Sequence, residues 1–136
     1  MQETISITGI SSISPLGISP KEIWEAYTTP SHHISFADFD GKQTPVAQLS
    51  SDAKHRIEML RQENATYEAL DDSVLFGLFA ARQAIKNAAW ETNKNFGINI
   101  GSSRGATQLF DKYHQEFITT GKSSTLSSPT TTLGNI

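Results

Sequence analysis

Five consecutive residues have the types and spacing of a catalytic turn: Gly101-Ser102-Ser103-Arg104-Gly105. They match Gly-x-Ser-x-Gly, in which a sharp strand-to-helix turn exposes the middle serine and the next helix offers backbone N–H donors to an oxyanion. Ser103 would be the nucleophile. Such a serine needs a histidine base and an acid to orient it, and a hydrolase of this architecture brings both from later, well-separated parts of the chain. Here Asp111 and His114 follow one turn apart on the same expected helix, too near the elbow to complete the usual sheet. A plain turn, in which small residues let a strand meet a helix, is therefore preferred, with a serine hydrolase at Ser103 kept as an alternative. The same residues make a poor phosphate cradle, since they lack a P-loop lysine and the third glycine of a dinucleotide fingerprint.

Other chemistry-bearing residues are weaker still. His32-His33 is the one adjacent histidine pair, but neighbours on an extended chain point apart, so a solvated loop is favoured over a metal or acid–base pair. Asp38 and Asp40 before Gly41-Lys42 resemble the start of a calcium loop whose later ligand positions are not filled, and a surface turn is expected. The sequence has no cysteine, which excludes disulfides, thiolate metal sites and cysteine nucleophiles within these residues. No metal and no cofactor is expected. Eleven Lys and Arg against 14 Asp and Glu give a net charge of -3, so neither nucleic acid nor an anionic membrane is an expected partner. Met1-Gln2-Glu3-Thr4 lacks a basic region leading into an apolar one, and no apolar run approaches a membrane span, so the reading is a soluble, cytoplasmic protein.

The elements that would position the turn follow from periodicity. Phe96, Ile98 and Ile100 alternate as in a strand, and Leu109, Phe110, Tyr113 and Phe117 recur at helical spacing up to Gly121, a suitable left-handed cap. Thr4 to Ile10 alternates isoleucines with polar residues and reads as an opening strand. Turn formers around Pro15 and Gly17 precede a short helix with Ser19 at N-cap, Pro20 at N1 and Glu22 at N3. Residues 28 to 51 are irregular apart from a short edge strand over Val46–Leu49. Ser51 is expected to cap a solvated amphipathic helix to about Leu60. Asp71 to Trp90 is the strongest helix. Its two leading aspartates suit the positive amino end, and an apolar stripe over half its circumference predicts burial between layers, with Gly77 permitting close approach. Strands and helices in this order, over 136 residues with no dividing linker, indicate one α/β domain.

With those residues laid out, the chain resembles the amino-terminal part of the β-ketoacyl-acyl-carrier-protein synthases. Ile7-Thr8-Gly9-Ile10, Ser14-Pro15-Leu16-Gly17 and Ile23-Trp24-Glu25-Ala26 look like the family's opening strand, turn and first helix. Leu75 to Trp90 resembles its alanine-rich helix, and Phe96 to Ala106 its Gly-Val-x-x-Gly-Ser/Thr-Gly-x-Gly-Gly strand and turn. Ser128-Pro129 with Thr132-Leu133-Gly134-Asn135-Ile136 looks like its Ser-Pro segment and the start of its next helix.

The resemblance implies a thiolase-like fold, of which residues 1–136 would be the incomplete amino-terminal portion of a layered α/β/α arrangement. It also implies a decarboxylating Claisen condensation in fatty acid or polyketide synthesis, with an acyl carrier protein as partner and a homodimer or a ketosynthase-type heterodimer as the assembly. The family's cysteine and two histidines lie beyond the matched segment, so this chain is expected to be inactive alone and to contain no catalytic residue. A non-catalytic, chain-length-factor-like subunit is the other reading within the family. Ser103 and Arg104 fall near the expected acyl pocket or dimer interface. Thr130-Thr131 stands where relatives often carry an aromatic pair reaching across the dimer. Relatives of the elongating type often carry a small or branched apolar residue where Arg104 stands, and the resemblance implies that both departures mark a specialised synthase. Pro15, Gly17, Gly101 and Gly105 are expected to be structural turn residues.

Overall fold

The computed structural model describes residues 4–91, 95, 97–125, 127 and 131. They form helix α1 (Pro20–Thr28), a hairpin of strands β1 (Ile34–Phe39) and β2 (Lys42–Ala47), helix α2 (Ser51–Gln62), a single 3-10 turn (Ala65–Tyr67), helix α3 (Asp72–Asn87) and helix α4 (Thr107–Thr120). Two compact units divide the described residues, one drawn from 1–59 and 79–90, the other from 60–78 and 91–136. Ile18, Ala53 and Ile57 are buried in the first, and Leu60, Leu75 and Ala106 in the second. This mixture of helix with a small sheet is compatible with an incomplete α/β domain.

In the first unit, α1 starts as its sequence demands. The Ser19 hydroxyl accepts from the Glu22 amide at 3.2 Å, and Glu22 Oε2 accepts from the Ser19 and Ile18 amides at 2.9 and 3.0 Å. At the other end the Thr28 and Thr29 hydroxyls take up the Trp24 and Glu25 carbonyls, and Thr29 turns extended ahead of Pro30. The hairpin lies where an irregular segment was expected. It is antiparallel, from Ile34↔Ala47 to Phe39↔Lys42, and turns on Asp40-Gly41 with φ of 52° and 79°. Two left-handed residues in a two-residue loop match the twist of the flanking strands, and Asp38 Oδ1 accepts from the Gly41 amide at 2.9 Å. Periodicity missed the strands because both are largely exposed and Pro45 interrupts the second. A two-stranded ribbon tolerates that proline on its outward edge.

Two expected strands are corrected. Residues 4–10 and 97–100 carry no ladder hydrogen bonds, and Ile5, Ile7, Ile98 and Ile100 are exposed; Phe96 lies outside the described residues. Alternation fixes side-chain faces, but a strand exists only once another backbone accepts its N–H groups, and no such backbone stands beside either segment among the described residues. The opening segment nonetheless lies tightly on α3. A Cβ on Gly9 would meet the Ala84 carbonyl oxygen at 2.5 Å and the Ala88 Cβ at 2.8 Å, while Asn87 Nδ2 donates to the Ile10 carbonyl at 3.0 Å.

Two details of the helices also differ from expectation. The cap of α2 is Ser50 rather than Ser51, its hydroxyl accepting from the Ala53 amide at 3.2 Å. Of the broad stripe on α3 only Leu75 is fully buried, and Gly77 faces open space, so the close backbone approach belongs to Gly9 instead. The helix ends at Asn87, and Ala89 turns left-handed with φ of 50°.

Candidate functional site

The Gly101–Ala106 turn feeds α4 in the second unit. The first glycine has open space where a Cβ would be, whereas Gly105 adopts φ of 68°, a conformation that favours glycine. The hydroxyl that organises the turn is that of Ser102, which accepts from the Gly105 amide at 3.0 Å. Ser103 and Arg104 are exposed, and neither side chain has a hydrogen bond or ion pair among the described residues. A nucleophilic serine needs a base within hydrogen-bond reach. His114 is stacked on the Phe110 ring of its own helix at 6.0 Å, and among the described residues no histidine hydrogen-bonds Ser103.

What holds the turn comes from the start of α3. Asp71, 5% exposed, accepts through Oδ1 from the Ser73 amide at 2.9 Å and hydroxyl at 2.7 Å. Its Oδ2 accepts from the Gln108 and Leu109 amides at 3.1 and 3.2 Å, near the first turn of α4. The Ser73 hydroxyl also stands 3.4 Å from the Gly105 carbonyl, but its single proton is committed to the shorter contact. Burial pushes the Asp71 carboxyl up, yet the Ser73, Leu109 and Gln108 donors outweigh it, and the net position is below the ordinary aspartate range. Beside it, Asp72 pairs with Arg61, whose guanidinium also donates to the Leu70 carbonyl at 2.7 Å. Asp71 is expected from sequence as a favourable charge at one helix end; its service to a second helix has no local signature.

The remaining site expectations fall elsewhere. Thr131 lines a groove of about 240 Å³ with Phe110, Tyr113, His114 and Phe117 of α4, and its hydroxyl donates to the Ser127 carbonyl; Thr130 lies outside the described residues. No hydrogen bond joins Thr131 to Ser103 or Arg104. Pro15 sits inside a turn whose ends, Ser14 and Gly17, exchange backbone hydrogen bonds at 3.2 and 3.0 Å. Gly17 has φ of 138°, and a Cβ there would lie 2.5 Å from that of Glu22. Sequence reasoning also missed a cavity of about 650 Å³ in the first unit, walled by Ile10, Ile18, Ile23, Trp24, Tyr27 and Lys86. Its signal was the apolar side of α1, Ile23, Trp24 and Tyr27, of which Trp24 and Tyr27 are exposed. Among the described residues no group of three or more His, Asp or Glu could hold a metal, and no helix is long and apolar enough to cross a membrane.

Residues 2–136 match the family model of the β-ketoacyl synthase N-terminal domain. The chain is 25% identical over 122 residues to 3-oxoacyl-[acyl-carrier-protein] synthase 2 of Coxiella burnetii (strain RSA 493 / Nine Mile phase I), and 24% identical over 121 residues to the protein of that name in Staphylococcus aureus (strain COL). Each alignment takes in 86% of this chain, which spans 29% of the length of these curated relatives. No solved structure matches the chain significantly. Because the match takes in the turns at Gly17, Gly41 and Gly105 and helices α1 to α4, the chain belongs to the β-ketoacyl synthase family, through its N-terminal domain.

Proposed function

We propose that this chain is the amino-terminal part of a 3-oxoacyl-acyl-carrier-protein synthase with a thiolase-like fold. The observation that carries the reading is the family match over residues 2–136, with relatives of that activity about three times longer. In the proposed reaction an acyl group is held as a thioester on a cysteine. A malonyl carrier thioester loses carbon dioxide, and its α-carbon attacks the acyl carbonyl, expelling the thiolate and leaving a 3-oxoacyl thioester. These 136 residues contain no cysteine, so the nucleophile would come from the rest of the protein, and the chain alone is proposed to be inactive. Acyl carrier protein and a second synthase subunit are the proposed partners of the whole enzyme, in the cytoplasm.

Within this part, the turn at Gly101–Gly105 is proposed to shape the acyl pocket or the subunit contact. An exposed arginine at position 104 disfavours a long saturated chain there, so the parent is proposed to use an unusual acyl substrate. The test is to express the complete reading frame and measure malonyl-dependent release of carbon dioxide and formation of 3-oxoacyl thioester across a panel of acyl carriers. Condensation is expected, with poor use of medium and long saturated primers. Efficient use of those primers would remove the substrate proposal. Absence of condensation with every primer, together with stimulation of a separate synthase, would replace the enzyme by the non-catalytic subunit.

A further inference from the structure

One carboxylate stands at the amino ends of two helices. Asp71 Oδ1 serves the start of α3 through Ser73, and Oδ2 serves α4 through the Gln108 and Leu109 amides. At the cap position of α4 itself stands Ala106, which makes no side-chain cap bond. We infer that Asp71 is a shared cap whose negative charge latches α4 and the Gly101–Ala106 turn onto the amino end of α3.

The chemistry requires the ionised form. A carboxylate only accepts, so it takes all four donors, whereas a protonated carboxyl would turn an O–H against one of them. Each helix amino end carries roughly half a positive charge, and two converge on this group. No cation faces it. On the α3 side the neighbouring Asp72 is paired with Arg61, which is also committed to the Leu70 carbonyl; on the other side, Arg104 of the turn and Asp111 of α4 make no hydrogen bond or ion pair with it. The donors that hold its titration below the ordinary aspartate range are the same donors that define the latch. Loss of the charge falls unequally. α3 keeps the Asp71 carbonyl as acceptor for the Val74 and Leu75 amides, while the first turn of α4 loses its side-chain acceptor.

This inference concerns the wiring of the domain and does not depend on the proposed condensation. The test is amide NMR of the 136-residue chain and its variants. On acidification the Ser73, Gln108 and Leu109 amides are expected to shift together with one midpoint below the ordinary aspartate range, and that shared midpoint is expected to vanish in Asp71→Asn. In Asp71→Ser, whose short hydroxyl can still cap α3 but cannot reach α4, exchange of the Gln108 and Leu109 amides should rise at least about tenfold, and that of Leu75 and Ile23 less than about threefold. Unchanged Gln108 and Leu109 exchange in Asp71→Ser would overturn the latch, as would a midpoint that persists in Asp71→Asn. Equal acceleration of all four amides would overturn it too, by showing a general contribution to folding.

Discussion

Two glycine-bearing turns lead into helices in this chain, and they are closed in opposite ways. At Ser14–Gly17 the turn bonds to itself, and the capping box of α1 is complete by Glu22, so all partners lie within nine residues. At Gly101–Ala106 the local bonds are from the Gly105 amide to the Ser102 hydroxyl and from the Thr107 amide to the Gly105 carbonyl, and the helix start also takes an acid 37 and 38 residues earlier in the chain. The first turn is self-sufficient; the second is held by a distant element. Motif reading rewarded the second, because Gly-x-Ser-x-Gly has a catalytic name, and directed attention to Ser103. The structure moves the weight to its neighbour Ser102 and to Asp71.

The sharpest way to break this contrast is Asp71→Ala, which leaves four donors without their acceptor. It should cost about 3 kcal/mol in chemical denaturation, and a loss below about 1 kcal/mol would mean that the distant closure matters no more than the local one. The next effect is expected at Gly17→Ala. The φ of 138° and a Cβ 2.5 Å from that of Glu22 force α1 off its capping box, at a cost of about 2 kcal/mol. Amide exchange should rise over Ile18–Ile23 and stay unchanged at Gln108, confining the damage to the first turn. Smallest are the paired serines. Ser102→Ala should cost about 1 kcal/mol, and Ser103→Ala should stay within about 0.5 kcal/mol of the parent. A reversed order would restore Ser103 to the organising position its motif suggests.

What was legible in the sequence was local chemistry. The capping box at Ser19 and Glu22, the left-handed stop at Gly121 and the long α3 all follow from spacings of a few residues. The hairpin could have been found from Asp40-Gly41, whose dipeptide prefers the observed turn, had its exposed strands shown a clearer alternation. The strands at 4–10 and 97–100 were misread for a different reason: their alternation is real, but pairing belongs to two segments and cannot be read from one. The family was legible because ordered short motifs survive at 25% identity, whereas the closure of the second turn by Asp71 is written in no motif.

The tight seat of Gly9 on α3 has a mechanical consequence. A one-residue slip of the opening segment would bring Thr8 or Ile10, each with a Cβ, to the place where such an atom would meet the Ala84 carbonyl oxygen at 2.5 Å. The helix therefore acts as an index pin for the segment, fixing its alternation before any neighbouring strand is engaged. Ile5 and Ile7 stand exposed on the same segment, so a strand that came to lie beside them would meet residues whose register is already set.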